Sequence, residues 1–439
     1  MTVRVDLLGT LGSLLRHPRR PRATIVDFQA QRLRRVVTHA YEHVPYYRRR
    51  FDAQGLRAGD LRMPTDLGAL PITSKADLRA QTLEDITARG VDPGRLIVHT
   101  TSGSSGEPFT IRRTWLEERV LGAFRRRALH EFGMRATDRL ALVGLAHQPH
   151  PRDRQLPQRL ASAMGLYRRQ QISCLRPPAD ILQAVRDARP DIVSAYPGVL
   201  SRLADVLEDQ GRPAPPLRFI VSAGEVLDPD LRRRVCERFG APVFEVYASF
   251  ELALIASQCR ETGLLHVCDD NVVVEVLRDG RPAKPGEPGE IVVTSLHAYA
   301  VPFVRYRLGD LVTRGPDACP CGAPFSTIAS VQGRVLDYLS LPDGRLLHPY
   351  EIVTHLPRGP DTWIRRCCIV QDRVDRIVLQ IVTRRAPQSD EPADLRRTLA
   401  PVLGPGVELT VDLVTDIEPD PSGKFRVSRS RVTAERDRR

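Results

Sequence analysis

Hydroxyl side chains alternate with glycine between positions 100 and 108, in the run Thr-Thr-Ser-Gly-Ser-Ser-Gly-Glu-Pro. Glycine lets the backbone approach a ligand closely and adopt positive φ, so amide and hydroxyl donors of such a loop can converge on one anion. The run lacks the Gly-Lys-Ser/Thr ending of the common nucleoside-triphosphatase loop. We therefore predict a phosphate-binding loop of a different kind, formed by Thr101, Ser102, Gly103, Ser104, Ser105 and Gly106.

Lysine is rare in this chain, and its few positions are informative. The 65 basic residues include only three lysines, at positions 75, 284 and 424, and Lys424 follows a Pro-Ser-Gly turn. A lysine ammonium is a compact point charge that the planar guanidinium of arginine does not imitate. The sequence thus predicts that Lys424 acts on a charged reacting group, the alternative being a solvated lysine in the tail.

One histidine and three cysteines are spaced as metal ligands would be. His266 follows Cys259 after six residues, and Cys319 and Cys321 flank a single proline. Such a set suits tetrahedral Zn²⁺ in a structural site with no open position. The alternatives are Cys268 as one of the ligands, or free thiols in a reducing cytoplasm.

The overall composition is that of a globular protein and excludes several classes. The chain has 439 residues, of which 42% are apolar and 27% are charged. No run of about 18 apolar residues and no secretory signal is visible, so we expect a cytoplasmic protein without a membrane span. The formal charge of +12 comes from arginines spread along the chain. We predict no nucleic-acid binding, although a positive field favours small polyanions such as ATP.

Short β-branched runs alternate with helical patterns after residue 139, which predicts βαβ units and a parallel sheet. The predicted strands are Leu140 to Leu145, Asp191 to Ala195, Leu217 to Ser222 and Val243 to Tyr247. The predicted helices are Ala179 to Ala188 and Pro229 to Phe239, with an earlier one around Val26 to Arg50. Asn271 to Leu277 and Gly289 to Ser295 read as an antiparallel hairpin.

The pattern restarts after Gly333, where strand candidates at 362–370, 376–383 and 407–414 accompany helices near residue 350 and at 393–403. We therefore expect an α/β protein with two domains. Residues 1–332 would form a large α/β domain with parallel sheets and an antiparallel portion. Residues 333–439 would form a small, mobile α+β domain that carries Lys424.

Six short elements, in order along the chain, resemble those of the adenylate-forming ligase superfamily, in its branch of phenylacetate-coenzyme A ligase and capsular-polysaccharide-type proteins. The hydroxyl-rich loop is the first element. The others are Ser-Ala-Gly-Glu at 222–225, Val-Tyr-Ala-Ser-Phe-Glu at 246–251, Arg-Tyr-Arg-Leu-Gly-Asp at 305–310, Gly-Arg-Val-Leu-Asp at 333–337 and Pro-Ser-Gly-Lys at 421–424.

The resemblance implies a role for each matching residue. ATP would be held by the phosphate loop and by the adenosine-binding residues Ala223, Gly224, Glu225, Tyr247, Ala248, Ser249 and Asp310. Within that set, Tyr247 would lie against adenine and Asp310 would accept the ribose hydroxyls. The catalytic residues would be Lys424, Glu251, Arg334 and Asp337. Glu251 would hold Mg²⁺, Arg334 would contact the ribose, Asp337 would be the interdomain hinge, and Lys424 would bridge the acyl carboxylate and the α-phosphate.

Family position also suggests which residues border the acid. These are His147, Tyr196, Pro197 and Gly198. The sequence departs from the family pattern at Glu107, Ala248 and Phe250, where relatives have lysine, glycine and threonine. We expect Arg112 or Arg113 to compensate for the negative charge of Glu107.

The implied activity is ATP-dependent conversion of a small carboxylic acid to an acyl- or aryl-adenylate, followed by transfer to a thiol, with coenzyme A as the expected acceptor. Transfer to a carrier-protein thiol or to an amine is the alternative. The segment Leu341 to Arg345 differs from the loop that lines the thiol channel in typical coenzyme A ligases. A third alternative is an inactive homologue that binds a nucleotide or a partner, and homodimer formation stays open.

Overall fold

A computed structural model describes residues 12, 14–100, 109–145, 164–334, 338–357, 362–420, 423–425, 427–430 and 432. The chain divides into two compact units, Met1–Gln332 and Gly333–Arg439. The predicted phosphate loop at 101–106, His147 and Asp337 lie outside the described residues.

One 12-stranded mixed sheet organises the large unit. Its strands are β3 (Leu140–Gly144), β4 (Arg169–Ser173), β5 (Ile192–Ala195), β6 (Phe219–Ala223), β7 (Val243–Ser249), β8 (Ala253–Gln258), β9 (Leu265–Val267), β10 (Val272–Arg278), β11 (Arg281–Pro282), β12 (Pro288–Ser295), β13 (Tyr306–Arg314) and β14 (Thr327–Arg334). Their order across the sheet is β11-β10-β12-β13-β14-β9-β8-β7-β6-β5-β3-β4. Strands β1 (Ile97–Thr100) and β2 (Thr110–Arg113) form a separate antiparallel hairpin.

The parallel half of the sheet confirms the predicted alternation. Strands β3 to β7 pair in parallel, and apolar runs such as β5, which is buried along its whole length, lie between layers of helix. Strands buried on both faces require such continuous apolar runs. In the part of the large unit that the structure describes, the helices include α1 (Arg22–His43), α2 (Pro45–Asp52), α3 (Lys75–Arg79), α4 (Leu83–Ile86), α5 (Trp115–Glu131), α6 (Pro178–Ala188), α7 (Pro197–Gln210) and α8 (Pro229–Phe239).

The antiparallel half includes the predicted hairpin, in which β10 and β12 pair from Val272 opposite Ser295. Side chains from α1 and α2 share an apolar core with this half. The single helix expected over Val26 to Arg50 is wrong, because the chain breaks into α1 and α2 at Val44. Pro45 supplies no amide hydrogen and forces the preceding residue into an extended conformation, so one helix ends and another begins there.

The small unit contains a four-stranded sheet. Its described elements are β15 (Leu339–Ser340), β16 (Leu346–Leu347), α9 (Pro349–Val353), β17 (Ile364–Arg373), β18 (Arg376–Thr383), α10 (Glu391–Leu403), β19 (Glu408–Val414) and β20 (Ser428–Ser430). The order of strands across the sheet is β19-β18-β17-β20. The α+β class predicted for this part of the chain is confirmed. Leu395, Leu399 and Leu403 bury one face of α10.

A search of the described helices finds none with the length and apolar character that a bilayer crossing requires. The cytoplasmic location stays a prediction.

Candidate active site

The carboxyl ends of β6 and β7 lie side by side, because the two strands pair in parallel with Ala223 opposite Val246. In open α/β sheets, ligands bind in the crevice beyond such strand ends. Gly224 follows β6 with φ +84, a conformation that favours glycine. The next residue, Glu225, accepts a hydrogen bond from the Gly198 amide at 2.7 Å.

That hydrogen bond joins two segments that the sequence predicted separately. Tyr196 precedes α7, and Pro197 and Gly198 are the first two residues of this helix. The amide groups of a first helical turn have no partner within the helix, and a carboxylate satisfies them well. The Tyr196 hydroxyl group lies close to Gly144, at the end of β3. A Cβ atom added to this glycine would be 3.8 Å from the hydroxyl oxygen. Tyr196, Pro197 and Gly198 therefore border the same strand ends as Glu225.

Tyr247 and Asp310 are in contact although 63 residues separate them. The Tyr247 hydroxyl, on β7, donates to Asp310 Oδ2, on β13, at 2.6 Å. Both side chains are half-buried. Ala248, next to Tyr247, is exposed, and the register of β7 against β8 shifts between these two residues. Tyr247, predicted to lie against adenine, and Asp310, predicted to accept the ribose hydroxyls, thus form one polar pair.

The turn from β7 to β8 carries Glu251. The Ser249 hydroxyl accepts a hydrogen bond from the Leu252 amide at 3.1 Å, and Ala253 has φ +57. Glu251 is only 9% exposed, and Tyr306 directs its hydroxyl toward Glu251 Oε1 at 3.4 Å. Among the described residues, no basic side chain forms an ion pair with Glu251. A buried carboxylate of this kind suits a hard cation such as Mg²⁺.

The β1–β2 hairpin brackets residues 101–108. Arg113, at the end of β2, donates to Glu118 Oε2 at 3.1 Å and to the carbonyl oxygen of Phe250. His99 Nε2 lies 3.1 Å from the same carboxylate oxygen. Burial raises the pKa of Glu118, but His99 and Arg113 outweigh burial and lower this pKa to about 2. The guanidinium of Arg113 is therefore engaged by Glu118 and by the Phe250 carbonyl oxygen. Glu107 lies outside the described residues, so compensation of its charge by Arg112 or Arg113 stays a prediction.

Lys424 sits in a short closed turn of the small unit. The Asp420 amide donates to the Lys424 carbonyl at 2.8 Å, and the Lys424 amide donates to Asp420 Oδ1 at 3.2 Å. The Gly423 amide donates to the Asp420 carbonyl at 2.7 Å, and Gly423 has φ +74. Asp420 thus sets the backbone of Lys424, a role that sequence reasoning missed. Of Arg334 the structure describes the backbone, as the last residue of β14.

Cys259, His266, Cys319 and Cys321 come together as the sequence predicted. Their ligand atoms all lie within 4.8 Å of one another, with 3.9 Å between the sulfurs of Cys259 and Cys319 and 3.4 Å between Cys321 Sγ and His266 Nε2. Burial lowers the pKa of His266, which favours the neutral imidazole that binds metals. This set of atoms fits tetrahedral zinc.

Cys268, the alternative ligand, lies outside this group of four. It is fully buried beside Arg127, and burial raises the pKa of its thiol. Packing explains its position.

Comparison with known proteins finds sequences similar to this chain. Residues 156–299 match the family described as AMP-binding enzyme. The chain is 26% identical over 347 residues to a phenylacetate-coenzyme A ligase of Thermus thermophilus, which covers 73% of this chain and 72% of that protein. It is 29% identical over 329 residues to a phenylacetate-coenzyme A ligase of Pseudomonas putida, with 71% of each chain covered.

Solved structures share the fold. A crystal structure of 2-hydroxyisobutyryl-CoA ligase in the postadenylation state, in complex with R3-HIB-AMP, superposes with a TM-score of 0.76 at 22% identity, over 94% of this chain and 91% of that one. A crystal structure of an anthranilate CoA ligase in complex with anthranoyl-AMP gives a TM-score of 0.57 at 17% identity, over 82% and 73% of the two chains. These matches confirm the α/β class expected from the sequence.

Proposed function

We propose that this chain is a member of the adenylate-forming ligase superfamily, in its phenylacetate-coenzyme A ligase-like branch, and that it activates a carboxylic acid with ATP and passes the acyl group to coenzyme A. In the first step a carboxylate oxygen attacks the α-phosphorus of ATP, and pyrophosphate leaves with the electron pair of the broken P–O bond. In the second step a thiolate attacks the acyl carbonyl, and AMP leaves.

The contact between Tyr247 and Asp310 carries this proposal. A phenol hydroxyl at 2.6 Å orients the carboxylate, whose remaining oxygen lone pairs can accept the two hydroxyls of a ribose. The ring of Tyr247 presents a flat apolar face, which suits adenine. The backbone of Ala223 and Gly224 and the side chain of Ser249 lie at the neighbouring strand end and turn, and we assign them, with Ala248 and Glu225, to the same nucleotide.

The phosphates and the reacting carboxylate need positive charge and hydrogen-bond donors. We assign the β- and γ-phosphates to the loop at 101–106, and Mg²⁺, which would neutralise charge on the phosphate oxygens, to Glu251. Lys424 would place its ammonium between the acyl carboxylate and the α-phosphate, where negative charge accumulates. Arg334 and Asp337 keep their assignments as ribose contact and hinge, and His147 keeps its place beside Tyr196, Pro197 and Gly198 at the acid.

We also propose that Cys259, His266, Cys319 and Cys321 bind one structural Zn²⁺. The four ligands come from two segments of the large unit about 50 to 60 residues apart, so a bound ion would fasten one segment to the other. Since all four positions would be filled by protein atoms, this ion would take no part in the reaction.

The alternatives differ in acceptor or in activity. A carrier-protein thiol or an amine would replace coenzyme A, and an inactive homologue would be favoured if Glu107 and Ala248 spoil the phosphate site. Homodimer formation stays open.

The decisive experiment measures ATP–pyrophosphate exchange across a panel of carboxylic acids, with phenylacetate first because the relatives are phenylacetate-coenzyme A ligases. Acid-dependent exchange supports adenylation, and its absence with every acid supports the inactive homologue. Mass spectrometry of products formed with coenzyme A, a carrier protein or amines then identifies the acceptor. An acyl-coenzyme A product supports the proposal, and an acylated carrier or an amide overturns its second step.

A further inference from the structure

Arg113 occupies a position where a strand normally buries an apolar side chain. Along β2 burial alternates, so that Ile111 and Arg113 face inward, and Arg113 is only 5% exposed. A buried guanidinium costs free energy unless charged or polar partners surround it. Its presence here therefore requires specific partners, and the structure shows two of them.

The two partners lie in different parts of the large unit. Glu118, in the first turn of α5, pairs with Arg113 Nη1, and the carbonyl oxygen of Phe250 accepts from Arg113 Nη2. His99, the residue before the last one of β1, also contacts the Glu118 carboxylate. Both strands of the β1–β2 hairpin, which flank residues 101–108 along the chain, therefore contribute to this charged group.

The carbonyl group of Phe250 belongs to the peptide bond that links Phe250 to Glu251. A planar peptide moves as one unit, so a donor that fixes this oxygen also fixes the amide nitrogen of Glu251. The carboxylate of Glu251 is the ligand assigned to Mg²⁺ above. Arg113 therefore connects the phosphate-loop hairpin with the turn that aims Glu251, over a separation of 137 residues.

We propose that Arg113 is a positioning residue for adenylation, which holds the Phe250–Glu251 peptide at a fixed place relative to the β1–β2 hairpin. The inference rests on the proposed function and adds to it a residue outside the six matching elements. Arginine is suited to this task because its fork can donate to a carboxylate and a carbonyl at once, whereas a lysine offers one point charge. Groups that orient a metal-binding carboxylate affect metal affinity by about 10- to 100-fold.

The test compares Arg113→Met and Arg113→Lys with the control Arg95→Met. Arg95 lies two residues before β1. Its side chain is 86% exposed and lies 3.4 Å from the carboxylate of Asp92. For Arg113→Met we expect the Mg²⁺ concentration that gives half-maximal pyrophosphate exchange to rise about tenfold. Arg113→Lys should give an intermediate value, and Arg95→Met should stay within about twofold of the wild type.

Two further readouts separate positioning from general damage. Thioester formation from a supplied acyl-adenylate, which needs neither pyrophosphate nor its Mg²⁺, should change less than about twofold in Arg113→Met. Amide hydrogen exchange in residues 245–256 should speed up in Arg113→Met and not in Arg95→Met, because the turn loses its anchor. Unchanged Mg²⁺ dependence together with unchanged hydrogen exchange would overturn the inference, as would equal losses in both half-reactions.

Hydrogen exchange also keeps the two proposals distinguishable. If the wild type shows no ATP–pyrophosphate exchange that depends on a carboxylic acid, the proposed function fails. Faster amide exchange at 245–256 in Arg113→Met would then still support the anchoring role, and no change there would refute it.

Discussion

Glu225 caps the start of α7 by accepting a hydrogen bond from the Gly198 amide at 2.7 Å. Glu225 belongs to the segment assigned to adenine, and Gly198 to the segment assigned to the acid. The contact links the binding regions assigned to the two substrates, because a shift of the segment after β6 would also move the first turn of α7.

Replacement of Glu225 tests that connection. Glu225→Ala should raise the KM for the acid about fivefold, because loss of the cap lets the first turn of α7 shift. Glu225→Gln keeps an oxygen acceptor and should stay within about twofold of the wild type. Steady-state kinetics of adenylate formation at saturating ATP would measure both. Equal KM values for the acid in all three proteins would remove the connection.

Tyr247→Phe should weaken ATP binding through Asp310. The variant keeps the ring but loses the donor that orients the carboxylate, so we expect the KM for ATP to rise about fivefold, roughly 1 kcal/mol. The same variant assayed with 2′-deoxy-ATP should show a smaller increase, because one ribose hydroxyl is already missing. An equal increase with both nucleotides would contradict the role given to Asp310.

Metal analysis tests the cluster of Cys259, His266, Cys319 and Cys321. Protein purified without chelators should contain about one zinc per chain, and Cys321→Ser should lower both the zinc content and the Tm, since binding contributes folding free energy. Cys236→Ser removes a half-buried thiol outside the cluster and should leave the zinc content unchanged. Less than about half a zinc per chain in the wild type would reject the site.

Asp270 predicts how stability depends on pH. The fully buried carboxylate accepts from Arg127 Nη2 at 3.0 Å, and His17 Nδ1 lies 2.7 Å away. Burial raises the pKa of Asp270, but Arg127 and His17 outweigh burial and lower it to about 2. Because this pKa lies below the unfolded value of about 3.9, the stabilisation is present above pH 4 and disappears as the pH falls towards 2.

Asp270→Asn should therefore lower the free energy of unfolding at pH 7 by about 3 kcal/mol, because buried Arg127 would keep only the more distant Glu131 carboxylate, 3.6 Å away, as a charge partner. The difference from the wild type should shrink as the pH falls from 4 towards 2. Asp317→Asn, which removes an exposed partner of Arg314, should change stability by less than about 1 kcal/mol. Urea unfolding across this pH range would measure the effect, and a constant difference at all pH values would contradict it.

Local patterns in the sequence predicted four of the five parallel strands and the Cys/His cluster, because β-branched runs and metal ligands leave signals within a few residues. Strand β4 was missed, because its sequence Arg-Gln-Gln-Ile-Ser has no apolar run. The contacts of Arg113 with the Phe250 carbonyl oxygen and of Arg127 with Asp270 escaped prediction, because each joins residues more than 100 positions apart. The burial of Arg113 was in principle visible, since it falls on the inward phase of β2. The break between α1 and α2 was also readable from Pro45.

The most direct test of the account is ATP–pyrophosphate exchange by the wild type and by Lys424→Ala, with the acid that gives the highest rate. We expect exchange that depends on the acid, reduced about 100-fold or more in the variant while the Kd for ATP stays within about threefold. Full pyrophosphate exchange by Lys424→Ala, or wild-type exchange that does not depend on the acid, would contradict the proposed mechanism.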